Sequence, residues 1–72
     1  MIKYKRIFKQ NGILRYEFYP EGDCSNPGVV EFEEGKEPRL VRQSALDVKM
    51  YYASHALNGI DLAKESGCIA WY

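Results

Sequence analysis

Residues 44–66 read SALDVKMYYASHALNGIDLAKES, and the fold turns on whether they make one helix or two. Ser44 followed by Asp47 has the spacing of a capping box, in which a hydroxyl and a carboxylate satisfy orphan N–H groups at a helix start. Gly67 supplies the stop, because glycine takes the left-handed conformation without a Cβ clash. Between them, Asn58-Gly59 offers a break. Phase argues against it. With successive residues 100° apart, Asp47, Ser54, Asn58, Asp61, Lys64 and Glu65 form a single polar stripe that passes through Gly59 without a shift. The spacing predicts one long helix from Ser44 to Ser66.

That helix has a small-residue spine, Ala53, Ala56, Gly59 and Ala63, near the middle of its non-polar arc. Leu46, Met50, Leu57 and Ile60 flank the spine on one side, and Val48, Tyr51, Tyr52 and Leu62 on the other. Small residues let a helix sit close to a sheet while larger side chains reach down at its edges. Lys49 also points into the arc and must snorkel past the sheet edge. The arc is wider than one sheet would cover, which puts Tyr51 and His55 at its far edge as candidate contacts for a partner.

Everything before the helix reads as sheet. Residues 2–9 and 13–19 are two strands around Gln10-Asn11-Gly12. A two-residue Asn-Gly loop would set Lys9 opposite Leu14 and Lys5 opposite Phe18, with lysines on the apolar face. A three-residue loop, with Gly12 as a left-handed bulge residue, pairs Phe8 with Leu14, Arg6 with Tyr16 and Tyr4 with Phe18. It gathers Ile2, Tyr4, Phe8, Leu14, Tyr16 and Phe18 on one face, so hydrophobic pattern favours it over turn propensity. The other face then carries Lys3, Lys5, Ile7, Lys9, Ile13, Arg15, Glu17 and Tyr19, with Lys5 opposite Glu17. Arg6 is left on the apolar face and needs a carboxylate or the sheet rim.

Pro20 to Gly28 is a loop dense in turn formers. Residues 29–33 form a third strand with Val30 and Phe32 inward, Arg39 to Arg42 a fourth, and Cys68 to Tyr72 a last one. The expected fold is therefore a single α+β domain spanning residues 1–72, an antiparallel sheet of order ββββαβ with the long helix packed across one face.

The charges balance overall but are sorted along the chain. Residues 1–20 carry five basic groups against Glu17, and residues 21–38 six acidic groups against Lys36. No signal peptide is visible, and no apolar run approaches the ~20 residues that cross a bilayer, so a cytoplasmic protein without membrane contact is expected. Cys24 and Cys68 are then two reduced thiols. Two cysteines and a distant histidine make no zinc pattern, and no glycine-rich phosphate loop precedes a helix, so no metal or cofactor is expected. His55 paired with either cysteine is the one conceivable nucleophile–base arrangement, and no carboxylate pair is placed for acid–base work. An enzyme is not expected.

Two surfaces remain. Tyr51, Tyr52, His55, Trp71 and Tyr72 form an aromatic rim suited to a protein partner or a second copy, since Tyr and Trp bury area while keeping a polar handle. Lys3, Lys5, Lys9 and Arg15 with Tyr19 form a basic face that can track phosphates and stack a base. The first gives the leading expectation, a small non-enzymatic interaction or regulatory protein, possibly homodimeric. The second gives the alternative, a weak nucleic-acid binder.

Overall fold

The computed structural model describes residues 1–45, 47 and 51–70. Five strands form one antiparallel sheet: β1 (Ile2–Gln10), β2 (Ile13–Pro20), β3 (Gly28–Glu33), β4 (Arg39–Arg42) and β5 (Ser66–Ile69). Their order across the sheet is β4-β3-β2-β1-β5, so the last strand takes the edge beside the first. One helix, α1 (Tyr51–Gly59), crosses one face. The α+β architecture is the one the hydrophobic pattern predicts.

The core sits between α1 and the near half of the sheet. Ile2, Tyr4, Tyr16, Phe18, Val30 and Phe32 meet Ala53 and Ala56, all of them buried. The two alanines let the helix backbone approach, as their position on the spine implies. Tyr16 stands edge-on to Tyr4 at 5.8 Å and to Phe32 at 6.0 Å, in the T-shaped geometry that aromatic quadrupoles favour.

A row of four residues crosses the sheet below the helix: Gly28, Phe18, Tyr4 and Gly67 are consecutive partners on β3, β2, β1 and β5. The aromatic side chains lean outward over the glycines. A Cβ on Gly28 would stand 2.1 Å from Cζ of Phe18, and one on Gly67 would stand 2.5 Å from the Tyr4 oxygen. Glycine in a strand ordinarily weakens it, but here the missing side chains are the space the rings fill.

The hairpin differs from expectation in its turn. Asn11 and Gly12 have φ of 54° and 78°, so the loop is the two-residue type I′ turn that matches strand twist. The pairings Tyr4–Phe18, Lys5–Glu17 and Arg6–Tyr16 hold as predicted. Beyond them, Ile7 is an extra residue in a β-bulge, and Phe8 pairs with Arg15, Lys9 with Leu14 and Gln10 with Ile13. The chain uses both registers, one at each end, with the bulge between. Phe8 therefore moves to the outer face and Lys9 to the helix side, the reverse of the sequence reading.

The long helix is also corrected. It ends at Gly59, and the strand expected at Cys68 to Tyr72 begins at Ser66. Asn58 bonds back to the Ser54 carbonyl at 2.8 Å, and Ile60 donates a last helical bond to Ala56. From there the polar groups of the chain find partners on the sheet. The Asp61 N–H donates to the Tyr4 oxygen at 3.4 Å, and the Tyr16 hydroxyl donates to the Lys64 carbonyl at 2.7 Å. The Arg6 N–H donates to the Glu65 carbonyl at 2.6 Å, and its guanidinium meets the Glu65 carboxylate at 3.1 Å. This is the carboxylate Arg6 requires.

Before the helix, the Ser44 hydroxyl donates to the Asn26 carbonyl, and the Asp47 N–H donates to the Ser44 carbonyl at 3.0 Å. The cap is Asp47, 1% exposed, whose two carboxylate oxygens accept the Tyr52 and Ala53 N–H groups at 3.1 and 2.8 Å. Leu46, Val48, Lys49 and Met50, expected in the helix, lie outside the described residues.

Because Phe18 is fully buried, its ring cannot yield to a methyl group at Gly28. Gly28→Ala should cost about 3 kcal/mol in urea unfolding, the upper end of the usual overpacking range. Adding Phe18→Leu should recover part of that loss. Strictly additive effects of the two changes would show that the ring is not the obstacle.

Candidate functional site

The Asn11-Gly12 turn and the Ile7 bulge together decide what each face offers. On the outer face, β4 to β1 present Arg39, Glu31, Arg15 and Phe8 in one cross-strand row. Glu31 accepts from Arg15 at 2.7 Å and from Arg39 at 2.9 Å, and the Arg15 guanidinium lies 4.9 Å from the centre of the Phe8 ring. Hydrogen bonds from Arg15 first, then from Arg39, hold the Glu31 carboxyl below the usual glutamate range. The two-residue Asn11-Gly12 turn sets Phe8 opposite Arg15 and Lys9 opposite Leu14, and the bulge returns Arg6 to Tyr16.

Of the five residues proposed for a basic face, the row thus engages Arg15 and the turn register removes Lys9. Tyr19 donates to Glu17 at 2.8 Å, and burial, then this bond, push its phenol up to about 12. Lys3 and Lys5 remain exposed on the outer face.

The proposed aromatic rim is divided too. Tyr51 is 60% exposed at the start of α1. Tyr52 is half-buried and donates to Glu21 at 3.0 Å, a bond that raises its pKa. His55 is half-buried on the same helix. Trp71 and Tyr72 lie outside the described residues. Cys24 and Cys68 are free and exposed, and the Cys24 thiol faces the Gly22 carbonyl at 3.8 Å. Among the described residues no three His, Cys, Asp or Glu side chains are grouped to hold a metal ion. No helix among them is long and apolar enough to cross a membrane.

One concave surface among the described residues lies outside the sequence reading. α1 crosses the sheet and touches all five strands, but none of its residues lines the end toward the Asn11-Gly12 turn. The far half, toward the Asn11-Gly12 turn, is left as an open groove of about 690 Å³. Leu14, Phe32, Pro38 and Leu62 give it apolar lining, and Lys9, Glu33, Glu34 and Lys36 line it with charges of both signs. Leu62 reaches it only because the helix stops at Gly59, and it is 42% exposed. Such a volume falls in the range of ligand and side-chain pockets. Two Asn-Gly pairs carried the signal: the first sets the turn that turns Lys9 inward, the second ends the helix.

Comparison with known protein families, with curated proteins and with solved structures finds no match.

The Glu31 row has a pH signature. Its lowered carboxyl stabilises the fold fully above the ordinary glutamate value of 4.5, and that contribution disappears as pH falls through the lowered folded value. Thermal unfolding of Glu31→Gln should therefore fall below wild type at pH 7, with the gap closing as the pH is taken down through the acid range. A gap that stays constant with pH would mean that the carboxylate charge is not what matters.

Proposed function

We propose that this chain is a small, non-enzymatic protein-interaction module of the cytoplasm, and that its working surface is the groove at the far end of the sheet. The observation that carries this reading is an apolar floor, Leu14 and Phe32, left open by the short helix and bordered by the exposed Leu62. Burying an exposed leucine against a partner is favourable by roughly 1.5–3 kcal/mol, and in this chain no part of α1 covers that end. Two exposed free thiols fit a reducing compartment.

The nucleic-acid reading keeps less support. Only Lys3 and Lys5 of its five residues remain both exposed and on the outer face, and Arg15 and Tyr19 are bound to neighbouring carboxylates. Phosphate tracking needs several uncommitted cations in one line. Self-association through the groove belongs to the same class as the leading reading and is resolved by the same experiment.

A photo-crosslinking amino acid placed at Leu62, in the cells that make the protein, should give an adduct of defined mass. The same probe at Val41, exposed on the opposite edge strand β4, should not. An adduct of twice the chain mass would identify a second copy. Labelling that is absent at Leu62, or equal at the two positions, would contradict the proposal, and an adduct at Tyr51 alone would move the contact to the helix.

A further inference from the structure

β1 meets β2 in two registers. From Ile2 to Arg6 the pairing is the one that a three-residue Gln10-Asn11-Gly12 loop would complete, and from Phe8 to Gln10 it is the one set by the two-residue Asn11-Gly12 turn. Ile7 takes up the difference as the bulge residue and is 49% exposed. Moving that extra residue from the strand into the turn would carry the first register to the end, with Ile7 opposite Arg15, Phe8 opposite Leu14 and Lys9 opposite Ile13. Few bonds oppose the slip. β5 pairs only with Ile2 to Lys5, so among the described residues Ile7 to Gln10 are held by the ladder to β2 alone. The pairing of β2 with β3 is continuous from Ile13 to Phe18 and need not change.

The two arrangements exchange contacts of similar kind. In the register observed, Phe8 lies on the outer face with the Arg15 guanidinium 4.9 Å from its ring centre. Lys9 then lines the groove, and Leu14 and Leu62 stay open beside it. In the slipped register Phe8 would stand over Leu14 on the helix side, in a groove of about 690 Å³ that has room for it, and Lys9 would turn out to solvent. A cation–π contact to a part-exposed arginine is lost, and burial of an aromatic ring is gained. The turns differ in what they demand of Asn11. The two-residue turn holds both Asn11 and Gly12 at positive φ, 54° and 78°, whereas a three-residue loop asks it of Gly12 alone.

We propose that the tip of the β1–β2 hairpin is a register switch that closes the chain's own groove. In the open register Phe8 packs on Arg15 and the groove is free. In the closed register the Ile7 bulge is absorbed into the loop, and Phe8 plugs the groove over Leu14. Whatever occupies the groove must hold the open register, and its apparent affinity scales with the fraction of molecules that are open. The plug belongs to this chain, so the switch operates in the same way for any partner, a second copy included.

Its regulatory meaning rests on the groove being the working surface, and the experiment separates the two. Deleting Ile7 removes the extra residue, which leaves the two-residue turn without a bulge and holds Phe8 opposite Arg15. Asn11→Val disfavours the open register, because a β-branched residue resists positive φ and the closed loop does not require it there. Nuclear Overhauser contacts of the Phe8 ring should run to Arg15 in the deletion variant and to Leu14 and Leu62 in Asn11→Val. Relaxation dispersion should show exchange at Ile7 to Gln10 and at Leu14 in the wild type, and none in the deletion variant. Phe8 contacts that stay with Arg15 in a folded Asn11→Val would overturn the switch. Should that variant not fold, wild-type exchange that is absent, or that survives the deletion, would overturn it. The photo-crosslinked adduct at Leu62 should fall at least roughly tenfold in Asn11→Val and persist in the deletion variant. An undiminished adduct in a form whose Phe8 contacts Leu14 would overturn closure of the groove. An adduct missing from all three forms, with the Phe8 contacts moving as expected, would uphold the switch and remove only the reading of the groove as a working surface.

Discussion

The hydroxyl of Tyr16 is the point on which the rest of this structure depends. The side chain is fully buried, wedged edge-on between Tyr4 and Phe32, and a buried phenol needs an acceptor. It finds one in the Lys64 carbonyl at 2.7 Å. Burial raises its pKa, more than the nearby Arg6 lowers it, so it stays a donor. Tyr4 accepts from Asp61, and Arg6 holds Glu65 through both backbone and side chain. Together these three residues draw residues 61–65 off the helix and onto the sheet.

The remaining features follow from that tether. The chain is pulled away after Gly59, and Leu14 and the exposed Leu62 border an open groove that no residue of α1 lines. With Glu65 fixed beside Arg6, β5 begins where it does and leaves the far half of β1 without a neighbour. The Ile7 bulge completes the arrangement. It returns Arg6 to Tyr16, while the Asn11-Gly12 turn aligns Phe8 with Arg15 and Glu31 on the outer face and brings Lys9 to the rim of the groove. A small domain has a narrow stability margin, so an uncovered apolar surface in it is a cost that binding can offset.

Much of this was legible in the sequence, and the failures have physical causes. Alternation placed Tyr4, Tyr16, Phe18, Val30 and Phe32 inward because strand period is strict. It misplaced Phe8 and Lys9 because two registers were weighed as rivals, while a one-residue bulge admits both and leaves no mark of its own in the pattern. The helix was drawn too long because Asp61, Lys64 and Glu65 suit a solvent-facing stripe and a solvent-facing loop equally, so phase could not separate them. The hydrogen-bond partners of the segment after the helix lie on Tyr4, Tyr16 and Arg6, more than fifty residues away from most of the groups they bind. Of the surfaces expected to carry function, Tyr51, Lys3 and Lys5 are exposed. The groove was invisible because it exists only once the helix has ended.

The most direct test is the run of 13Cα chemical shifts from Tyr51 to Ser66. Helical deviations should persist through Asn58 and vanish after Gly59, with extended values from Ser66 onward. Helical shifts continuing from Gly59 to Ser66 would contradict the account at its root, since the Tyr16 tether, the position of β5 and the open groove would then all be lost together.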